Sequence, residues 1–369
     1  MALTGLQIFK LLPNKNCKEC GFATCLAFAM KIAAKAVDPV LCPYLSEDAK
    51  TTLGKSQAPP IKQIILKGKK EEFKIGGELV LFRHDKTFYN PPVLAIEIDD
   101  SLPEKDFLEK VNQINKLIYE RVGETIRFNA IALNYSSNNK DNFQEKARLI
   151  ESNFDLPLFL ICDDKDTLDK TIKSLSIKPI IYKLTANNFE ALAPIIKENN
   201  LTCTLSDDSS LDALIPLSEK AKSNGLENII LEPPQNNISE LLQNQVIIRR
   251  SAIKNNFEPL GYPTITRTSN IEDNTLPESI AAIIGICKYS SVIIIKNFEL
   301  FMALPLLTLR QNIYTDPQKP LQVNTGLYKI GEPDESSPLL VTTNFSLTYF
   351  TVTGEIESAG TSAHLLVTD

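Results

Sequence analysis

The 369-residue sequence contains no tryptophan and only two histidines, His84 and His364. Imidazole is the commonest general base at neutral pH and a frequent metal ligand, so mechanisms that need several histidines are excluded. We expect both histidines to be ordinary surface or packing residues, with His364 in a frayed C-terminal tail.

The sequence also lacks an excess of positive charge and long apolar runs. Its 39 Lys and Arg residues against 45 Asp and Glu residues give a net charge of -6, which argues against nucleic acid as the main partner. No apolar run approaches the roughly 20 residues of a membrane helix. The N-terminal stretch MALTGLQIFKLLP lacks the charged leader, the apolar core and the cleavage site that a secretory signal has. We therefore expect a cytoplasmic protein that binds neither nucleic acid nor membrane.

Four cysteines near the N-terminus are the most informative feature that is present. Cys17, Cys20, Cys25 and Cys42 form the pattern C-x2-C-x4-C-x16-C, and Pro43 follows the last of them. Iron–sulfur clusters are held by thiolates in this way, often with a remote fourth cysteine and a nearby proline. The pattern predicts a [4Fe–4S] site, and with it a reductive or electron-transfer role.

Zinc and disulfides are the alternatives for these cysteines. A structural zinc site usually has two C-x2-C pairs, which the x4 gap and the single distal cysteine fit poorly. Disulfides would need an oxidising compartment. The other three cysteines, Cys162, Cys203 and Cys287, occur in apolar runs and are expected to be buried, inert thiols.

The middle of the chain alternates between apolar β-like runs and amphipathic helical stretches. Eight such pairs are what a (β/α)8 barrel of roughly 250 residues requires, and an open doubly wound sheet is the alternative. The sequence has neither a G-x-G-x-x-G motif after the first strand nor a G-x-x-x-x-G-K-[ST] phosphate-binding loop, so it gives no indication of nucleotide binding. The predicted strands are 92–99, 128–134, 157–162, 179–183, 201–205, 228–232, 262–266 and 291–297, and the predicted helices are 103–121, 140–153, 165–175, 187–199, 208–223, 238–254, 277–289 and 298–311.

These patterns predict an α/β protein of three domains. Residues 1–58 form a small cluster domain. Residues 61–311 form the barrel domain, which begins with a β-hairpin within 61–85. Residues 312–369 contain a linker and a β-rich stretch, LLVTTNFSLTYFTVTGEIES, which we interpret as the start of a further domain.

Polar side chains follow several predicted barrel strands, at the end of the barrel where active sites form. Asp and Asn in such loops more often cap the next helix than bind a ligand. These candidates are Asp99, Asp100, Asn134, Asp163, Asp164 and Glu232.

Three segments resemble the large (gamma) subunit of the corrinoid iron–sulfur protein of the acetyl-CoA decarbonylase/synthase system. They are NCKECGFATCLAFAMK with CPYLSEDA, then LLTLRQNIYTDPQKP, then LLVTTNFSLTYFTVTGEIES. The resemblance implies a cluster domain, a central barrel and a C-terminal corrinoid-binding domain, the last of these truncated here. It implies that Cys17, Cys20, Cys25 and Cys42 ligate the cluster, and that Thr342, Thr348, Thr343 and Asn344 contact the corrinoid.

The resemblance also implies the function. Corrinoid cobalt accepts a methyl group from a methyltetrahydropterin or methyltetrahydrofolate and passes it to acetyl-CoA synthase, as the methyl carrier of the acetyl-CoA pathway. The cluster returns Co(II) to Co(I), and the corrinoid is base-off, since the sequence has no D-x-H-x-x-G motif to supply an axial histidine. The implied partners are the small (delta) subunit, the methyltransferase and acetyl-CoA synthase/CO dehydrogenase.

Two other functions remain open from the residues. One is a pterin-binding barrel methyltransferase with a structural zinc site at its N-terminus. The other is a structural scaffold for a multisubunit complex.

Overall fold

The computed structural model describes residues 4–33, 37–57, 59–83, 88–271, 273–314 and 322–368. The chain forms two compact units, one of Met1–Leu81 with Tyr89–Ile313 and one of Phe82–Phe88 with Tyr314–Asp369. The boundaries 1–58, 61–311 and 312–369 remain a prediction. His84 lies outside the described residues.

The N-terminal segment that carries the four cysteines is helical. Thr4 begins the first helix with a capping box, in which its hydroxyl and the Gln7 side chain each accept from the other residue's backbone N–H. Asp38 accepts from the Val40 N–H and starts a 3-10 turn, Pro39–Leu41. The helices are α1 (Gly5–Leu11), α2 (Cys25–Ala33) and α3 (Glu47–Gln57).

A hairpin and a parallel barrel follow, as predicted. Among the described residues the barrel has eight strands, each followed by a helix, with ends a few residues from the predicted ones. In chain order the elements are β1 (Ile64–Lys67), β2 (Glu72–Ile75), β3 (Val93–Asp99), α4 (Glu104–Lys116), β4 (Ile118–Arg121), β5 (Glu124–Arg127), β6 (Ala130–Asn134), α5 (Lys140–Asn153), β7 (Leu158–Ile161), α6 (Lys165–Ser174), β8 (Ile180–Leu184), α7 (Phe189–Glu198), β9 (Cys203–Ser206), α8 (Leu211–Ser223), β10 (Ile229–Glu232), α9 (Ile238–Asn255), β11 (Ile265–Arg267), α10 (Thr275–Cys287), β12 (Val292–Ile295) and α11 (Leu300–Tyr314).

The eight-stranded sheet closes on itself. Its order is β10-β9-β8-β7-β6-β3-β12-β11. The two end strands meet where Leu231 forms a parallel bridge with Thr264 and donates its N–H to the Pro263 carbonyl over 2.8 Å. Apolar residues on both faces of the strands are buried, as in parallel sheets that are covered on both sides. The architecture is therefore a (β/α)8 barrel, and the open sheet is excluded.

The hairpin β1–β2 packs against the barrel interior. Ile64, Leu66 and Ile75 share a core with Val93 and Val292, which are the first residues of their strands. The hairpin therefore covers the amino-terminal end of the barrel and leaves the carboxyl ends of the strands as the open mouth.

The predicted helix 103–121 is wrong in its last five residues. The helix α4 ends at Lys116, and β4 and β5 form an antiparallel hairpin around Val122 and Gly123, both of which have positive φ (52° and 74°). A two-residue turn with positive φ at both positions matches the twist of a hairpin, and this favours strands over a longer helix.

The C-terminal unit contains a three-stranded sheet in the order β13-β15-β14, with one helix. Strand β14 is parallel to β15 and β13 is antiparallel to it. The unit's core is formed by Ile330, Ile356, Ala363, Leu365 and Val367. Its elements are β13 (Gly326–Ile330), β14 (Leu339–Thr343), α12 (Ser346–Ser358) and β15 (Ala363–Thr368).

Two expectations for this unit are wrong. The stretch from Ser346 to Ser358 is a helix, despite its Thr, Val and Phe content, because β14 and β15 are parallel and need a crossover between them. His364 lies in β15, the central strand of the sheet, and not in a frayed tail.

Candidate metal centre

The loop before α2 holds Cys17 and Cys20 in a turn-rich conformation, and Cys25 is the first residue of α2. Asn16, Lys18 and Gly21 have positive φ (48°, 66° and 85°), and a Cβ at Gly21 would meet nothing within 4 Å. The Asn16 backbone N–H donates to Cys25 Sγ over 3.4 Å, and Asn16 Oδ1 accepts from the Cys25 N–H over 2.7 Å. Asn16 therefore ties the loop to the start of α2 and directs an N–H group at a cysteine sulfur.

Three of the four cysteines belong to one small hydrophobic core. Cys25 and Cys42 are buried, with 7% and 5% of their surface exposed, and Cys20 packs against the same core. Cys17 is exposed. Ile8, Leu12, Phe28, Ala29, Ile32, Leu45, Ala49 and Leu53 complete this core.

Tyr44, two residues after Cys42, contacts Glu19, which lies between Cys17 and Cys20. Its hydroxyl donates to Glu19 Oε1 over 2.8 Å, and Lys15 Nζ lies 3.9 Å from its ring centroid. The pKa of Tyr44 is raised, first by this hydrogen bond and then by the charge of Glu19. The segment that follows Cys42 therefore contacts the loop that carries Cys17 and Cys20.

Across the residues that the structure describes, no three Cys, His, Asp or Glu side chains form a group that could hold a metal ion. The donor set itself fits an iron–sulfur cluster, because it is all sulfur, with two of the four cysteines buried and an N–H group directed at Cys25 Sγ. Ligation by all four would require the exposed Cys17 to turn inward.

The predicted corrinoid-contacting residues lie at one end of the C-terminal sheet. Thr342 and Asn344 are buried, and Asn344 donates its backbone N–H to the Thr368 carbonyl over 2.8 Å. Thr343 and Thr348 are exposed, at the end of β14 and in the first turn of α12. The structure therefore brings the four residues together, two of them as packing residues and two at the surface.

The six candidates at the barrel mouth have different roles. Asp164 is the N-cap of α6 and accepts from the Thr167 N–H over 2.8 Å, as the capping interpretation predicts. Asp100 accepts from Ser136 and Ser137, so it organises a loop. Asn134 Nδ2 donates to Asp99 Oδ1 over 2.6 Å, and Asn188 Nδ2 donates to Asp163 Oδ1 over 3.5 Å. Glu232 accepts a hydrogen bond from the Tyr182 hydroxyl.

Sequence reasoning missed several polar side chains inside the barrel. Glu97 accepts two hydrogen bonds from Arg267, at 2.8 and 2.6 Å, and the Arg267 guanidinium lies 5.6 Å from the Tyr182 ring centroid. Burial acts to lower the pKa of Arg267, but its hydrogen bond to Glu97 and that carboxylate's charge raise it overall. Burial raises the pKa of Glu232 and of Tyr182. The signal for Glu97 in the sequence is a charged residue within an otherwise apolar strand, VLAIEID.

Comparison with known proteins identifies the family. Residues 52–369 match the family model described as "CO dehydrogenase/acetyl-CoA synthase delta subunit", and residues 12–44, with all four cysteines, match "Putative Fe-S cluster". The chain is 39% identical over 371 residues to the corrinoid/iron-sulfur protein large subunit of Moorella thermoacetica, covering all of this chain and 82% of that protein. The chain belongs to the corrinoid/iron-sulfur protein large-subunit family.

Archaeal members of the family are called gamma subunits. The acetyl-CoA decarbonylase/synthase complex subunit gamma of Methanothermobacter thermautotrophicus is 34% identical over 381 residues, covering 100% of this chain and 83% of that protein. Among solved structures, dihydropteroate synthase from Thermus thermophilus aligns with 68% of this chain and 100% of its own, at 12% identity and a TM-score of 0.46, values too low to carry an inference. In the described part of this family member, no helix has the length and apolarity to cross a bilayer.

Proposed function

We propose that the chain is the methyl-carrying redox subunit of a multienzyme methyltransferase. It carries a methyl group on a base-off corrinoid, from a methyltetrahydropterin or methyltetrahydrofolate to acetyl-CoA synthase. A [4Fe–4S] cluster on Cys17, Cys20, Cys25 and Cys42 supplies the electrons that keep the corrinoid reactive. The observation that carries the proposal is that Cys20, Cys25 and Cys42 share one small core, with the exposed Cys17 three positions before Cys20. The chain's full-length similarity to a protein named corrinoid/iron-sulfur protein large subunit adds to it.

Two features around the cysteines would act on a cluster's reduction potential in opposite directions, since exclusion of water lowers it and an N–H group at a sulfur raises it. Burial of Cys25 and Cys42 keeps water from two of the sulfurs, and the N–H group of Asn16 stabilises negative charge on one of them. Hydrogen bonds to the sulfurs and solvent exposure are the main protein controls on a cluster's reduction potential. A cytoplasmic location is part of the proposal, because free thiols persist in reducing compartments.

The C-terminal unit offers a surface for a flat, largely apolar macrocycle. The hydroxyls of Thr343 and Thr348 lie at the surface, while Thr342 and Asn344 hold the turn between β14 and α12. Phe345, Leu347 and Phe350 are exposed beside them. His364 Nε2 is 3.1 Å from the Asp334 carbonyl oxygen.

The barrel presents a surface for a partner subunit on α10 and α11. Outward-facing side chains of both helices are apolar and exposed, with Leu276 at 65% and Phe301 at 66%. The acidic residue of α10, Glu278, and the basic residue of α11, Arg310, are both buried. A helix that is apolar on all sides is normally covered. We define the α10–α11 face as Leu276, Ile280, Ile283, Leu300, Phe301 and Leu304, and propose that the small (delta) subunit covers it in a heterodimer.

The methyltransferase and acetyl-CoA synthase/CO dehydrogenase are the other proposed partners. Anaerobic purification, followed by iron, sulfide and cobalt analysis and electron paramagnetic resonance after dithionite, tests the whole proposal. We expect about four iron atoms per chain, as a [4Fe–4S] cluster on four cysteines requires. One zinc and no iron would overturn the redox role, and iron without cobalt in the presence of the small subunit would overturn the carrier role.

A further inference from the structure

A group of buried polar side chains occupies the carboxyl ends of β8, β9 and β10, at the barrel mouth. Tyr182, Thr204, Ser206, Glu232 and Gln235 are each less than 5% exposed. Ser206 and Glu232 are direct neighbours across the two parallel strands. Ligand sites of such barrels form at this end, where the loops after several strands meet.

Hydrogen bonds are unevenly distributed over the acceptor atoms of this group. Glu232 Oε1 accepts three hydrogen bonds, from the Tyr182 hydroxyl (2.5 Å), Gln235 Nε2 (2.9 Å) and Asn270 Nδ2 (3.0 Å). Glu232 Oε2 and Gln235 Oε1 are buried and have no partner. Buried polar atoms in folded proteins are nearly always paired, so two acceptors without donors call for a missing donor.

Two hydroxyl groups beside these acceptors, each able to donate and to accept, also lack partners. Thr204 Oγ1 and Ser206 Oγ are also buried without a hydrogen-bond partner. The Ser206 hydroxyl is close enough to Glu232 to help lower that carboxyl's pKa, but its geometry falls short of a hydrogen bond. The four unpartnered oxygens lie on β9, on β10 and in the loop that follows β10.

Asn270 closes this group from solvent. It lies on a one-turn 3-10 helix, Thr268–Asn270, is itself exposed, and donates to both Glu232 Oε1 and the Tyr182 hydroxyl. Its contacts are two hydrogen bonds at 3.0 and 3.3 Å, so a local shift of this turn uncovers Glu232. The ion-paired Arg267, over the Tyr182 ring, forms a flat wall beside it.

We propose that the barrel mouth binds the amino-amide edge of a nitrogen heterocycle, the edge shared by pterins and guanine. Glu232 Oε2 and Gln235 Oε1 accept its two N–H groups, and Asn270 is the gate. Such an edge carries an amino group and a ring N–H in one plane, which is the donor pair that two neighbouring acceptors need. Only the preference for a pterin over a purine rests on the proposed function, in which a methylated pterin is the methyl donor.

The test is calorimetric titration of the full chain with three probes: 6-methyltetrahydropterin, guanosine and adenosine, which lacks the ring N–H and the 2-amino group. We expect 6-methyltetrahydropterin to bind, adenosine not to bind, and Glu232→Gln to weaken binding at least tenfold. Gln235→Met, which keeps the side-chain length and removes the acceptor, should weaken it as well. Asn270→Ala should preserve or tighten binding, because it removes the gate.

Glu219→Gln is the matched control, because Glu219 is exposed on α8, away from the mouth. Circular dichroism of each variant reports folding. Guanosine binding with no pterin binding would keep the site and overturn the pterin assignment. No binding of either probe to a folded chain would mean that ordered water satisfies these atoms, and would overturn the inference. Neither result depends on iron or cobalt, so it is distinct from failure of the proposed function.

Discussion

Asn16 contacts Cys25 twice, once through its backbone and once through its side chain. The Asn16 N–H donates to Cys25 Sγ and Asn16 Oδ1 accepts from the Cys25 N–H. The second contact serves an unsatisfied N–H at the start of α2, as an N-cap does. One asparagine thus fixes both the helix start and the environment of a candidate ligand.

Replacing Asn16 should weaken the cysteine-rich segment. Asn16→Ala removes the side-chain acceptor, and loss of a cap of this kind costs about 1 kcal/mol. We expect lower iron retention and a shifted cluster potential, measured by iron analysis and redox titration under anaerobic conditions. Asn14→Ala is the control, because Asn14 has a similar positive φ of 54° and is exposed. Equal effects of the two changes would contradict a specific role for Asn16.

The cysteine assignment predicts a selective loss of iron. Separate Cys17→Ser and Cys42→Ser variants should fall from about four iron atoms per chain to well below that number, because each removes one of four ligands. Cys203→Ala should keep its iron, since Cys203 is buried in the barrel and burial raises the pKa of its thiol to about 12. Full iron content in both serine variants would refute the assignment.

The α10–α11 face predicts a subunit contact. The double variant Ile280→Asp with Leu304→Asp should weaken binding of the small subunit at least tenfold, or by about 1.4 kcal/mol. Buried charge without a partner is costly at an interface core. Val122→Asp, at an exposed turn of the β4–β5 hairpin, is the control. Analytical ultracentrifugation of the purified pair measures the effect, and unchanged association would place the partner elsewhere.

Glu278 should be a strong stability determinant. Its carboxylate accepts from the Thr268 hydroxyl and from the backbone N–H groups of Lys296 and Asn297, and it is fully buried. Glu278→Ala leaves these donors unsatisfied, at about 1–3 kcal/mol each, so we expect a loss of about 3 kcal/mol or more in urea unfolding. Glu219→Ala should change the unfolding free energy by less than about 0.5 kcal/mol. A small loss for Glu278→Ala would mean that water replaces the carboxylate.

Glu232 should make stability depend on pH. Burial raises the pKa of its carboxyl, so the folded state binds more protons than the unfolded state above the ordinary value of about 4.3. Its contribution is therefore favourable at low pH and is lost as pH rises towards the raised pKa. Relative to the wild type, Glu232→Gln should become progressively more stable in urea unfolding as the pH rises from about 4.3 towards the raised pKa. A difference that does not change with pH would contradict the raised pKa.

The barrel could be predicted because its signals are local. Each strand is a short apolar run and each helix carries a 3.6-residue period, so both follow from neighbouring residues. The β4–β5 hairpin and α12 could not be read in this way. Val122 adopts a positive φ that its side chain disfavours, and the β-branched residues of α12 favour strands in isolation.

The amino-acid sequence by itself determined the spacing of the four cysteines, the alternation of the eight barrel strands with helices, and the resemblance to a corrinoid iron–sulfur subunit. The tertiary structure decided which polar residues meet. Glu97 and Arg267 are 170 positions apart, and Tyr182 and Glu232 are 50 apart, yet each pair is hydrogen-bonded inside the barrel. Closure of the sheet creates these pairs, and short-range sequence patterns carry no record of which distant strand ends will share one interior.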